Sequence, residues 1–172
     1  MSARQLRLTR FAVVASAVVV LLLTGVAPEA CVGDSPEAVL RCYSEAHELR
    51  DFSVLEDLLA LEYGWIDVVP PQAQLFDRET TLKAARNMLA DERLESVSLV
   101  FAEGYKVVGG TDPGTWRIED VRVTLSVKMD SADEPFVTTT CATYYVREAS
   151  GNGSDYEIYR EVTFEGVGCT DE

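Results

Sequence analysis

Four cysteines, one histidine and a scattered set of aromatic residues are the side chains of this 172-residue sequence from which chemistry could be built. Cys31, Cys42, Cys141 and Cys169 form an even set without a Cys-x-x-Cys spacing, which suits two disulfides better than a metal or redox centre. Four cysteines allow three pairings. The expected one joins Cys42 to Cys141 and Cys31 to Cys169, because the second bond would tie the two ends of the domain together. His47 is the only histidine and falls one residue off the apolar face of a charged helix, so it supports neither a metal site nor a serine triad. The sequence has no phosphate-binding loop, dinucleotide fingerprint or Gly-x-Ser-x-Gly elbow, and no cofactor is expected. Thiol catalysis conflicts with oxidised cysteines. Tyr63, Trp65, Tyr105, Trp116, Tyr144 and Tyr145 could line a binding cleft, although packing on strands is the plainer use of such residues.

The N-terminus bears on where this chemistry would operate. Arg4, Arg7 and Arg10 precede an uncharged run over residues 11–23, the n-region and h-region of a secretory signal. Residues 25–27 and Ala30 offer small residues for cleavage. The reading is a signal peptide over 1–30 and one domain over 31–172, exported to the periplasm, cell envelope or exterior, with no membrane insertion after cleavage. Lipid anchoring at Cys31 is the less favoured variant: only Ala30 of the three preceding residues fits a lipoprotein signal, and lipidation would leave an odd thiol. Removing 1–30 takes away three of the 15 basic residues and one of the 29 acidic ones, leaving 12 against 28 and a net charge of −16. Such a domain repels phosphate backbones and anionic headgroups, which argues against nucleic acid or a membrane surface as partner.

The elements that must position any site change character along the chain. Ser35-Pro36-Glu37 opens a helix, with Val39, Cys42, Tyr43, Ala46 and Leu49 at helical spacing. Ser53 and Glu56 form a capping box for a second, short helix carrying Val54, Leu55, Leu58, Leu59 and Leu61. Pro70-Pro71 interrupts the chain beyond it, and Asp77 caps a third helix with a stripe of Leu82, Ala85, Met88 and Leu89. From Leu94 the period becomes two: Val97, Leu99 and Phe101, then Val121, Val123, Leu125 and Val127, face one way. Glycine turns at 109–114 and 150–154 and strands near 136–148 and 156–165 complete an antiparallel meander. Asn152-Gly153-Ser154 is better read as part of such a turn than as a glycosylation acceptor. Helices first and strands afterwards indicate an α+β domain, the helices covering one face of the sheet.

A capped helix containing 38-AVLRCY-43, an acid at Asp51, a short leucine-rich helix, a strand through Trp65-Ile66-Asp67 and Asp77-Arg78-Glu79 before a run of strands together resemble the nuclear transport factor 2-like superfamily, with its SnoaL-like and ketosteroid isomerase members. The resemblance spans about residues 35–166. It implies helices wrapped by a curved antiparallel sheet into a cystatin-like cone with an apolar cavity. The ligand-binding candidates are Tyr43 and Asp67, which the resemblance implies, together with Trp65, Tyr105, Trp116 and Tyr144 of the aromatic set. By resemblance to the isomerases, Tyr43 would donate to a developing enolate oxygen and Asp67 would move the proton. The third member of that arrangement, an acid on a late strand, is missing, since Cys141 or Ala142 occupies its place. The resulting expectation is a non-enzymatic domain holding a small apolar ligand or an envelope protein. An isomerase or lyase using Tyr43 and Asp67, and a homodimerisation module, are the alternatives.

Overall fold

The computed structural model describes residues 31, 34–69, 71–149, 155–164 and 169; the expected signal segment and the 150–154 turn lie outside the described residues. Helix α1, Pro36–Glu48, begins where the Ser35 hydroxyl accepts from the Ala38 N–H at 3.2 Å, with Pro36 in the first turn. It buries Val39, Leu40, Cys42, Tyr43 and Ala46, and also His47, which the spacing places off the apolar face. Arg50 then takes a left-handed turn, φ 56°, and its guanidinium donates to the carbonyls of Leu94 and Glu95.

Helix α2, Phe52–Leu58, is capped differently from the expected box. The Asp51 carboxylate accepts from the N–H groups of Ser53 and Val54 at 3.1 and 3.3 Å, so Ser53 is inside the helix and donates its own hydroxyl to Asp51. An aspartate two residues earlier places a full negative charge against the exposed N–H groups at the positive end of the helix dipole. The chain leaves α2 straight into strand β1, Leu59–Val69, so Leu61 alternates outward, 81% exposed, and belongs to no helical stripe. A short strand unforeseen in the sequence, β2 (Gln72–Asp77), precedes α3 (Arg78–Leu89), and Asp77 caps α3 by accepting from the Thr80 N–H at 2.8 Å.

Strands β3 (Leu94–Phe101), β4 (Lys106–Gly109), β5 (Thr115–Met129), β6 (Phe136–Glu148) and β7 (Tyr156–Phe164) complete a seven-stranded sheet of order β2-β1-β7-β6-β5-β3, with β4 also on β5. The sheet is mixed. β1 runs parallel to β7 while every other pair is antiparallel, which corrects the wholly antiparallel expectation. A parallel neighbour needs a long crossover, and here everything from β2 to β6 supplies it. Register shifts in β1, β3, β5 and at the β6–β7 pairing bend the sheet around the helices; in β5 the shift is accompanied by Asp120 at φ 59°. The core lies between, formed by Val39, Leu40, Leu55, Leu58, Ile118, Val121, Val146 and Ile158.

All four cysteines are bonded, but locally: Cys31 to Cys42 and Cys141 to Cys169, each with Cα atoms 5.4 Å apart. The expected Cys42–Cys141 and Cys31–Cys169 pairing is therefore incorrect. Cys141 stands opposite Phe164 in the β6–β7 register, and its partner Cys169 follows Phe164 closely in sequence. Neither bond joins α1 to the sheet. Among the described residues no helix is long and apolar enough to span a membrane, and two disulfides fit an oxidising compartment.

Candidate functional site

Side chains alternate across a strand, so β1 sends Tyr63, Trp65 and Asp67 toward the helices together. Lateral register then builds two rows on that inner face. Trp65, Glu161 of β7 and Tyr144 of β6 stand side by side, and Asp67, Thr163 and Ala142 form the next row. The indole N–H of Trp65 donates to the Thr163 hydroxyl at 2.9 Å, and that hydroxyl donates to Asp67 Oδ1 at 2.9 Å. Trp65 is further held by stacking on Phe76, ring centroids 4.7 Å apart.

Glu161 is the centre of the arrangement. Tyr63 donates its hydroxyl to Oε2 at 2.8 Å and Tyr144 donates to Oε1 at 3.1 Å. Glu161 is half-buried. Burial pushes its pKa above the ordinary 4.5, with the Asp67 carboxylate adding to the rise and the two phenols opposing it. Burial and then the Glu161 charge push the phenols of Tyr43, Tyr63 and Tyr144 upward, so all three stay protonated as donors.

Tyr43 reaches this cluster from α1. Its ring lies 6.5 Å from that of Phe101, which meets Tyr144 edge-on at 5.7 Å. His47 packs edge-on against Tyr43 at 4.7 Å and bonds through Nδ1 to the Tyr43 carbonyl oxygen at 2.8 Å; a carbonyl only accepts, so Nδ1 carries the proton. Burial lowers the His47 pKa below 6.5, the Tyr43 carbonyl partly countering it, and the ring is neutral at pH 7. Tyr43 is 9% exposed.

The structure brings together four of the six expected binding residues: Tyr43, Trp65, Asp67 and Tyr144. The other two lie apart from the hydrogen-bonded cluster. Trp116 pairs opposite Val146 and meets Tyr156 edge-on at 5.2 Å. Tyr105, between β3 and β4, lines a surface hollow of about 350 Å³ with Glu37, Leu40 and Ser44 of the α1 region.

Glu161 and Tyr63 complete the cluster, and Glu161 was not legible as a site residue. If Ile158, fully buried, faces inward, regular alternation sends Arg160 and Val162 inward and Glu161 to solvent. The β6–β7 register instead jumps from Tyr145 opposite Arg160 to Val146 opposite Ile158, leaving Tyr159 as an extra residue. This bulge reverses the phase and turns Glu161 and Thr163 inward. An arginine at a nominally inward position was the available clue.

Comparison with protein-family models finds no match, and no curated protein matches the chain. Solved structures do match. An NTF2-like protein of unknown function in nutrient uptake from Rhodospirillum rubrum is 19% identical, with a TM-score of 0.59, over 76% of this chain and 98% of its own. An NTF2-like superfamily protein from Salmonella enterica is 9% identical, with a TM-score of 0.56, over 78% of this chain and 89% of its own. ActVI-ORFA from Streptomyces coelicolor is 9% identical, with a TM-score of 0.55, over 73% of this chain and 90% of its own. The order of helices, the mixed curved sheet and these likenesses agree, and the domain has the nuclear transport factor 2-like fold.

Proposed function

We propose that the domain is an exported module that holds a small, largely apolar ligand on the inner face of its sheet without transforming it. The observation that carries this reading is the inward-facing carboxyl of Glu161, which the hydroxyls of Tyr63 and Tyr144 hold and beside which Asp67 stands on the same face. Fixed donors and an acid in a mostly aromatic surround are what a small-molecule site needs for orientation, while the rings supply the contact area. Protein purified from its own cell envelope is expected to release a stoichiometric small molecule on denaturation, detected by mass spectrometry of the extract. Repeated empty extracts would overturn the reading.

A second reading, an isomerase or lyase, is favoured by one specific observation. The acid missing at 141 and 142 is supplied from the neighbouring strand by Glu161, beside Tyr144 and on the same face as Asp67. Tyr43 would donate to a substrate carbonyl, Asp67 would take the proton from the adjacent carbon, and a protonated Glu161 would assist. Asp67→Asn would then abolish turnover of a carbonyl substrate while leaving the circular dichroism spectrum and melting temperature close to wild type.

A further inference from the structure

The exposed face of α3 borders a hollow that the inner-face site does not use. Its volume is about 640 Å³, and it lies between α3, α2 and the start of β1, with Leu61 and Leu82 as its apolar part. That volume falls within the range of small-ligand pockets. Leu82 is buried under the helix, whereas Leu61 is exposed. Two arginines of the lining are already held in place. Arg78 donates from Nε to the Leu59 carbonyl at 3.1 Å and from a terminal nitrogen to the Glu56 carbonyl at 2.7 Å, which fastens α3 to the junction of α2 and β1. Arg86 has its guanidinium carbon 4.2 Å from the centre of the Phe52 ring. That contact positions the charge without neutralising it as a carboxylate would.

The charges of this hollow run against the composition of the chain. There are 29 acidic residues to 15 basic ones, and Arg41, Arg93, Lys106, Arg117, Lys128 and Arg147 are each ion-paired with a carboxylate. Among the described residues Lys83 and Arg86 have no such partner, although they stand one turn apart on α3, where like charges repel. Asn87 lines the hollow beside them. Lys83, Arg86 and Asn87 thus present N–H donors at i, i+3 and i+4, on one side of the helix and all exposed. The two acids of the lining, Glu56 and Glu79, belong with Arg78 to the other end, at the first turn of α3, and neither is ion-paired to Lys83 or Arg86. Two like charges left unpaired in an acid-rich chain are matched by an anion from outside.

We infer that this hollow binds a small amphiphilic anion, a carboxylate on an apolar chain, its head accepting hydrogen bonds from Lys83, Arg86 and Asn87 and its chain lying on Leu61 and Leu82. The site is separate from the inner face of the sheet and stands whether or not that face holds a ligand. The acidity of the whole domain does not forbid it. Exposed charges more than about 10 Å away are largely screened at 0.1 M salt, so one small anion meets chiefly the cations of the hollow, whereas a nucleic acid or an anionic membrane meets the entire domain. No covalent step is involved.

Three probes of one shape and different charge test it: octanoate, octanol and octylamine, titrated at neutral pH and low salt and followed by calorimetry. Octanoate is expected to bind at least about tenfold more tightly than octanol, and octylamine most weakly. The double variant Lys83→Gln, Arg86→Gln should weaken octanoate about tenfold and change octanol less than about threefold, with the melting temperature reporting that it is folded. Should it not fold, Lys83→Gln alone carries the same comparison. Leu61→Ser should weaken octanoate and octanol alike, by about threefold each. Equal or tighter binding of octanol would overturn the anion site. So would octanoate binding that survives the double variant unchanged, since the anion would then be held elsewhere. Absence of octanoate binding would overturn it as well, and would leave the inner-face reading to its own test on the envelope extract.

Discussion

Two glutamates four residues apart on β7 meet opposite fates. Glu157, 4% exposed, faces outward and receives two hydrogen bonds from Arg147, at 2.8 Å from Nε and 2.6 Å from the terminal nitrogen, while Arg147 also reaches Glu62 and lies over the Tyr159 ring. Glu161 faces inward and has phenols for partners and Asp67 for a neighbour. In a regular strand the two would share a face; the extra residue at Tyr159 separates them. A buried carboxylate neutralised by arginine fastens a strand and is chemically spent. One held only by hydroxyl groups keeps its appetite for a proton or a cation, which makes the inner face the candidate site and the outer face scaffold.

Substitutions should break this contrast in a definite order. Arg147→Met leaves Glu157 buried with its charge unmatched and is expected to cost the most, about 3 kcal/mol in urea unfolding. Tyr63→Phe removes one of two donors to Glu161 and should cost about 1–2 kcal/mol, with the Glu161 carboxyl titrating higher still in a carbon-13 NMR titration.

Glu161→Gln comes next, and its signature is a slope. The folded chain holds the Glu161 proton to higher pH than the unfolded chain does, because burial disfavours its charge and Asp67 adds to the rise, while the hydrogen bonds from Tyr63 and Tyr144 only partly oppose it. That contribution to stability is fully present below the ordinary value of 4.5 and is lost as pH rises through the raised folded value. The variant should therefore gain on wild type as pH is raised from about 4 to about 8, measured as the difference in melting temperature. A flat difference would remove Glu161 from its special place. The smallest effect is expected from Glu62→Gln, below about 0.5 kcal/mol, because Glu62 is the exposed partner of Arg147.

Much of the positioning was legible in order along the chain. Ser35 and Asp77 act as caps because a short polar side chain before a helix can satisfy its first N–H groups wherever the helix lies. The period-two pattern of Val97, Leu99, Val121 and Val123 survives as buried strand positions. Asp51 displaced Ser53 as the α2 cap since both types compete for the same N–H groups and sequence spacing alone does not rank them.

What the sequence by itself determined is local: which segments are helices or strands, the acidity, the even set of cysteines, and the presence of Tyr43 and Asp67 on elements that could share a cavity. Tertiary structure alone decided the parallel join of β1 to β7, the Cys31–Cys42 and Cys141–Cys169 bonds, and the inward turn of Glu161. The physical reason is common to all three. Which segments become neighbours is settled by pairing between parts of the chain distant in sequence, and a single extra residue in a strand's register exchanges the faces of everything beyond it.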